Sequence, residues 1–121
     1  MFRGFGGKRR PRHKFGAKKV TIDGFTFDST KEANRYVELR LLVKHGRISN
    51  LELQPFFKWR NCHRREDGVE IVGRSERYTA DFKYIEHGKV VYEDVKGMRL
   101  TEYLRKKKIV EALFGVTIVE I

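Results

Sequence analysis

Two stretches of this chain carry apolar residues at helical spacing, and the segments around them alternate as strands do. That change of period, from two to about 3.6 and back, restricts the fold to the mixed α/β class. The first helical stretch opens at Ser29-Thr30-Lys31-Glu32, where Ser29 and Glu32 have the spacing of a capping box. Ala33, Tyr36, Val37, Arg40 and Leu41 then recur at helical spacing, and Leu39, Leu42 and Val43 widen the apolar face. Gly46 after Lys44-His45 is a stop signal, which predicts a helix over 30–45. The second stretch is 101–114, with Leu100, Leu104, Lys107, Lys108 and Glu111 down one side. Tyr103, Val110 and Leu113 run down another side, and Gly115 caps it.

Residues 18–23 and 25–28 alternate about Asp23-Gly24, a hairpin-turn dipeptide. Residues 51–60 read as a strand in which Pro55 argues for an edge or a bulge. A polar loop is predicted at 62–67 and a short strand at 69–72. Residues 77–85 alternate with Tyr78, Ala80, Phe82 and Tyr84 on one side, and pair with 89–96 in a hairpin about Glu86-His87-Gly88. Residues 116–121 make a terminal strand. The expected order is hairpin, helix, three or four strands, helix, strand, around a largely central sheet.

The 121 residues fit one domain and are too few for a TIM barrel or a two-half Rossmann enzyme. A 40% hydrophobic and 12% aromatic content is enough for a core and argues against general disorder. The single cysteine, Cys62, excludes an internal disulfide, and Cys62-His63 lacks the second pair that a zinc site needs. Without an apolar run of membrane-spanning length, the chain reads as soluble and cytoplasmic, with no membrane partner. Net charge is +11, and eight cations with no acid fall in the first 19 residues. Among them, Arg3, Lys8, Arg9, Arg10, Arg12 and Lys14 lie between glycines and Pro11 in a predicted flexible arm, 1–16, ahead of a folded domain, 17–121. Such an arm suits phosphate backbone; its plainer reading is a solubility tail. A second basic cluster, Arg105, Lys106, Lys107 and Lys108, is either a DNA contact or a solvated helix face.

The densest polar signal is Thr79-Ala80-Asp81-Phe82 followed by Tyr92-Glu93-Asp94-Val95-Lys96-Gly97. Alternate strand residues share a face, so Asp94 and Lys96 point one way and Glu93 points with Val91 and Val95. Asp81 on the neighbouring strand can then join Asp94 and Lys96. Two carboxylates and a main-chain carbonyl suit a hard cation such as Mg²⁺ or Mn²⁺, and a lysine beside it can hold an attacking water. The plainer reading is a cross-strand salt bridge. Asp94 nevertheless follows Val90-Val91-Tyr92, where an unpaired charge is costly. Glu32 is either the cap described above or a further acid of the site. Trp59, Phe56 and Phe57 can stack bases or fill a core, and Tyr103 can meet phosphate or pack.

Four blocks together resemble a known family: 28–36, Leu51-Glu52-Leu53-Gln54-Pro55, Tyr78-Thr79-Ala80-Asp81-Phe82, and Glu93-Asp94-Val95-Lys96-Gly97. They look like a small phage-encoded nuclease family, formerly catalogued as a domain of unknown function, in the restriction-endonuclease-like PD-(D/E)xK superfamily. The likeness covers about 18–121 and departs from the superfamily pattern where Ala80, not proline, precedes Asp81. It implies an αβββαβ core, a central mixed sheet flanked by helices, here with an N-terminal β-hairpin. It further implies a metal-dependent DNA endonuclease, acting on branched DNA such as a Holliday junction or fork, as a homodimer in the host bacterial cytoplasm. No organic cofactor is implied. Asp81, Asp94 and the Val95 carbonyl would bind Mg²⁺, with Mn²⁺ as substitute. Lys96 would position water, Glu32 would complete the acidic cluster, and Gln54 and Glu93 would line the site. The alternative from a different class is a noncatalytic nucleic-acid-binding protein with a basic arm.

Overall fold

The computed structural model describes residues 19–95 and 100–121. It divides into two compact units, Met1–Glu38 and Leu39–Ile121, the division falling inside the first helix. The first unit is built on a tight hairpin. Strand β1 (Val20–Ile22) pairs antiparallel with β2 (Phe25–Phe27) through Asp23 at φ 53° and Gly24 at φ 83°. Two successive left-handed residues make the turn whose twist suits a two-residue hairpin. Helix α1 (Thr30–Lys44) follows, and its Tyr36 hydroxyl donates to Asp23 Oδ2 at 2.9 Å. The Tyr36 ring also lies 5.0 Å from that of Phe27 and 5.9 Å from that of Phe25.

That aromatic contact sets the helix phase. Ala33, Tyr36 and Leu39 are buried, whereas Val37 and Leu41, expected on the same face, are exposed. Val37 is one residue, about 100° of rotation, beyond Tyr36, so it turns away once Tyr36 takes the hairpin rings. The helix ends close to the expected place. Gly46, at φ 73°, donates to the Val43 carbonyl and Arg47 donates to the Leu42 carbonyl, the paired bonds of a Schellman cap.

The second unit contains a four-stranded mixed sheet in the order β3 (Ser49–Leu53), β6 (Phe82–Glu86), β7 (Lys89–Asp94), β8 (Ile118–Glu120). The first two pairings are antiparallel and β7 with β8 is parallel. Parallel neighbours need a crossover, which helix α2 (Thr101–Phe114) supplies. Between β3 and β6 the chain makes a separate ribbon of β4 (Phe56–Arg64) and β5 (Glu70–Thr79). The α/β class, the N-terminal hairpin, the mixed sheet and the two helices therefore agree with expectation. Among the described residues no helix is long and apolar enough to cross a membrane.

Two expected strands are each broken, and the predicted loop is strand. Residues 51–60 split at Gln54-Pro55, where Gln54 has φ 56°. Residues 77–85 split at Ala80-Asp81. The breaks face one another: Gln54 N–H donates to the Asp81 carbonyl and Ala80 N–H to the Pro55 carbonyl, both at 2.9 Å. Pro55 has no N–H for a ladder, and the left-handed Gln54 turns the chain away from the sheet, so both strands bend at one place. The predicted loop 62–67 is strand through Arg64, because Cys62, His63 and Arg64 find partners in Val72, Ile71 and Glu70. The register slips between Arg60 and Cys62, opposite Gly73, where a Cβ would stand 2.8 Å from the Asn61 carbonyl oxygen.

Phe57, Trp59 and Tyr78 from the inner face of the ribbon close on Val110 of α2 and Ile118 of β8, with Ala80 beside them. Phe57 lies 5.0 Å from the rings of both Tyr92 and Phe114. The core reading of Trp59 and Phe57 is thus the observed one, while Phe56 stays exposed. Tyr103 packs 6.2 Å from Tyr78 and donates its hydroxyl to Glu120 at 2.8 Å.

At the edge of this core, Arg105 of α2 pairs with Glu76 of β5, which also accepts from Asn61. Hydrogen bonds from Arg105 and Asn61 hold the Glu76 carboxyl down to about 2, against an ordinary 4.5. A depressed carboxylate contributes stability that is complete above its unfolded value and fades as pH falls toward the folded one. Urea midpoints of the native protein should therefore exceed those of Glu76→Gln at neutral pH, with the gap closing between about pH 4.5 and 2. A gap independent of pH would show that the ion pair contributes nothing.

Candidate active site

The paired bends put Asp81 at the corner between ribbon and sheet. Its N–H donates to the Glu93 carbonyl at 3.0 Å, and its Oδ2 accepts the Val95 N–H at 2.7 Å. Asp81 thereby spans the end of β7, the strand on which Glu93 and Asp94 lie. Those two acids are each 1% exposed. They meet different hydroxyls: Tyr78 of β5 donates to Asp94 Oδ2, and Tyr84 of β6 donates to Glu93 Oε2. Successive strand residues face opposite ways, so adjacent acids need separate partners. Asp94 is also tied through its main chain, its carbonyl accepting the Ile121 N–H at 3.0 Å.

The Tyr78 hydroxyl is held in its protonated form. Burial, the hydrogen bond to Asp94 and the negative charges of Asp94 and Asp81 all push its pKa far up, so it remains a donor. Burying two adjacent acids is expensive for a small domain unless they are hydrogen-bonded or serve a function. The sequence reading missed both tyrosines, taking Tyr78 and Tyr84 as members of one apolar face. The signal available was that a buried tyrosine hydroxyl seeks a partner.

The other expected residues fall as follows. Glu32 makes the cap: its N–H donates to Ser29 Oγ at 3.1 Å and its Oε1 accepts the Asp28 N–H at 3.3 Å. It belongs to the first unit, Asp81 and Asp94 to the second. Gln54 acts through its main chain, as the bend residue bonded to the Asp81 carbonyl. Val95 is buried. Lys96 and the arm residues Arg3, Lys8, Arg9, Arg10, Arg12 and Lys14 lie outside the described residues. In the basic cluster, Arg105 pairs with Glu76 and Glu102, Lys106 Nζ donates to the Arg77 carbonyl at 3.0 Å, and Lys107 pairs with Glu111 at 3.4 Å. Lys108 is exposed. Cys62 is an exposed free thiol.

A model of the family described as "Protein of unknown function (DUF1064)" matches residues 12–117. The chain belongs to the DUF1064 family. Compared with curated proteins and with solved structures, it matches none. The matched span of this DUF1064 chain takes in every acid of the candidate site.

The donors at the end of β7 are hard oxygens: the carboxylates of Asp81 and Asp94 and the Val95 carbonyl. Among the described residues no three His, Cys, Asp or Glu side chains form a metal-holding group. Hard oxygens of this kind are the ligands that Mg²⁺ takes, one or two carboxylates with water and phosphate completing its shell. The set does not fit zinc, which asks for nitrogen or sulfur ligands.

Proposed function

We propose that this DUF1064 protein is a divalent-metal-dependent DNA endonuclease with a restriction-endonuclease-like PD-(D/E)xK site. One observation carries the reading: the Asp81 carboxylate accepts the Val95 N–H at 2.7 Å, next in the chain to Asp94, so the two acids meet at the end of β7. The strand order supports it as well, because a helix, three antiparallel strands, a helix and a parallel strand follow one another once the ribbon is set aside.

In this reading Asp81, Asp94 and the Val95 carbonyl hold Mg²⁺, or Mn²⁺ in its place. When bound, the ion offsets negative charge developing on the phosphate and lowers the pKa of a coordinated water. Tyr78 keeps Asp94 oriented by donating to one of its oxygens. The Asp81 carboxylate is fixed by the Val95 N–H. Lys96 holds the attacking water. The basic arm and Lys108 bring DNA, and two copies of the chain cut the two strands of a branched substrate.

The test is cleavage of labelled linear duplex, single-strand, forked and four-way-junction DNA in Mg²⁺, Mn²⁺ or EDTA. Cutting is expected with either metal and none with EDTA. No cutting of any substrate, together with equal DNA binding by the native protein and Asp81→Ala, would leave noncatalytic binding. That second reading draws on the hydrogen bonds that already occupy Asp81 and Asp94 within the fold.

A further inference from the structure

The β4–β5 ribbon has one face turned to the core and one turned outward. Cross-strand partners share a face, so the outward side is defined by Phe56 with Thr79, Lys58 with Arg77, and Arg60 with Ser75. All six are exposed, in contrast to Phe57, Trp59 and Tyr78 on the inner side. The outward face thus carries three cations and no acid. Lys58 and Arg77 stand directly opposite each other, a like-charge pair that weakens a sheet.

Elsewhere on the ribbon, three acids are paired, although the exposed Arg74 has no pairing carboxylate among the described residues. Arg64 pairs with Glu70 at 3.4 Å, Arg65 with Asp67 at 2.9 Å, and Glu76 of the inner side is taken by Arg105. On the outward face the Arg77 guanidinium lies 3.9 Å from the centre of the exposed Phe56 ring. Among the described residues, no carboxylate pairs with Lys58 or Arg60. A face that keeps like charges opposed, with no acid among them, is complementary to a polyanion.

We propose that this outward face, built on Lys58, Arg60 and Arg77, is a binding surface for the phosphate backbone of duplex DNA. Lys58 and Arg60 are two residues apart on one strand, about 7 Å, so both side chains can reach phosphates of one DNA strand. A two-stranded ribbon is also a shape that lies against or within the major groove. The surface rests on the DNA reading above for its partner but needs none of its chemistry. Its three cations lie on β4 and β5 and not in the basic stretch of α2, whose Lys106 Nζ reaches the Arg77 carbonyl.

The experiment is fluorescence anisotropy of a labelled linear duplex in EDTA, across a salt series, with the full chain. Lys58→Gln, Arg60→Gln and Arg77→Gln are combined in one variant. A control removes the same charge elsewhere, through Arg64→Gln, Arg65→Gln and Lys89→Gln. The ribbon variant is expected to bind at least about tenfold more weakly, with its salt slope lowered by about 2 to 3. The control is expected to lose far less. Equal losses would mean that affinity follows net charge alone and would overturn the assignment, as would unchanged binding. If the triple variant does not fold, the single variants Lys58→Gln and Arg60→Gln decide: each should lower the slope by about one, and an unaltered slope in both overturns it. A native protein that binds by the ribbon yet never cuts sinks only the nuclease. One that cuts, and binds equally well with the ribbon neutralised, sinks only this surface.

Discussion

Asp94→Asn is expected to leave the protein folded and to remove metal-dependent cleavage, by about 10³-fold or more. The amide keeps an oxygen for the Tyr78 hydroxyl, and it removes a carboxylate charge from a site that is 1% exposed. Folding therefore has little to lose. On the proposed reading the chemical step loses a metal ligand worth several kcal/mol of charge stabilisation, and each 1.36 kcal/mol is about tenfold in rate. Single-turnover cleavage at saturating Mg²⁺, run beside urea denaturation, checks both halves. An Asn variant that cuts at the native rate would remove Asp94 from the site. One that fails to fold would make the acid a structural anchor of β7.

Phe57→Ala should cost about 3–5 kcal/mol of unfolding free energy, the largest loss expected of any single core change here. Its ring meets three others: it stacks 6.4 Å from Tyr78 and lies 5.0 Å from both Tyr92 and Phe114. Those contacts join the ribbon to the central sheet and to the end of α2, so a cavity there cannot be closed by one element moving. Urea denaturation at neutral pH measures the loss. A cost below about 1.5 kcal/mol would mean that the three elements collapse together and that their packing is loose. A loss of this size also reaches the site, because Tyr78 holds Asp94 from the same core.

The elements whose signals are local agree well with expectation. Helix α2 occupies the expected 101–114, and Gly115, at φ 65°, closes it by donating to the Glu111 carbonyl. The turns Asp23-Gly24 and His87-Gly88 have both residues in left-handed conformation, as their dipeptides suggest. The capping box of Glu32 forms with Ser29, its carboxylate reaching the Asp28 N–H. Asp81 and Asp94 were legible because acids interrupt apolar strand pattern in both places. The roles of Tyr78 and Tyr84 were not, since an aromatic residue in an alternating strand reads as core whether or not its hydroxyl has a partner. Nor was the outward face of the ribbon legible. Residues 62–67 are polar, and polarity cannot distinguish a loop from the solvated end of a paired strand.

Sequence alone determined where helices start and stop, which dipeptides turn the chain, and that the whole is mixed α/β. Each of those depends on residues a few positions apart, whose conformations and caps interact directly. Only the tertiary structure decided that two expected strands bend together at Gln54-Pro55 and Ala80-Asp81, that Tyr78 serves Asp94 while Tyr84 serves Glu93, and that Lys58 faces Arg77. Those relations join residues distant along the chain and follow from register. A shift of one residue would reverse every side chain to the other face, and no local pattern specifies which register wins.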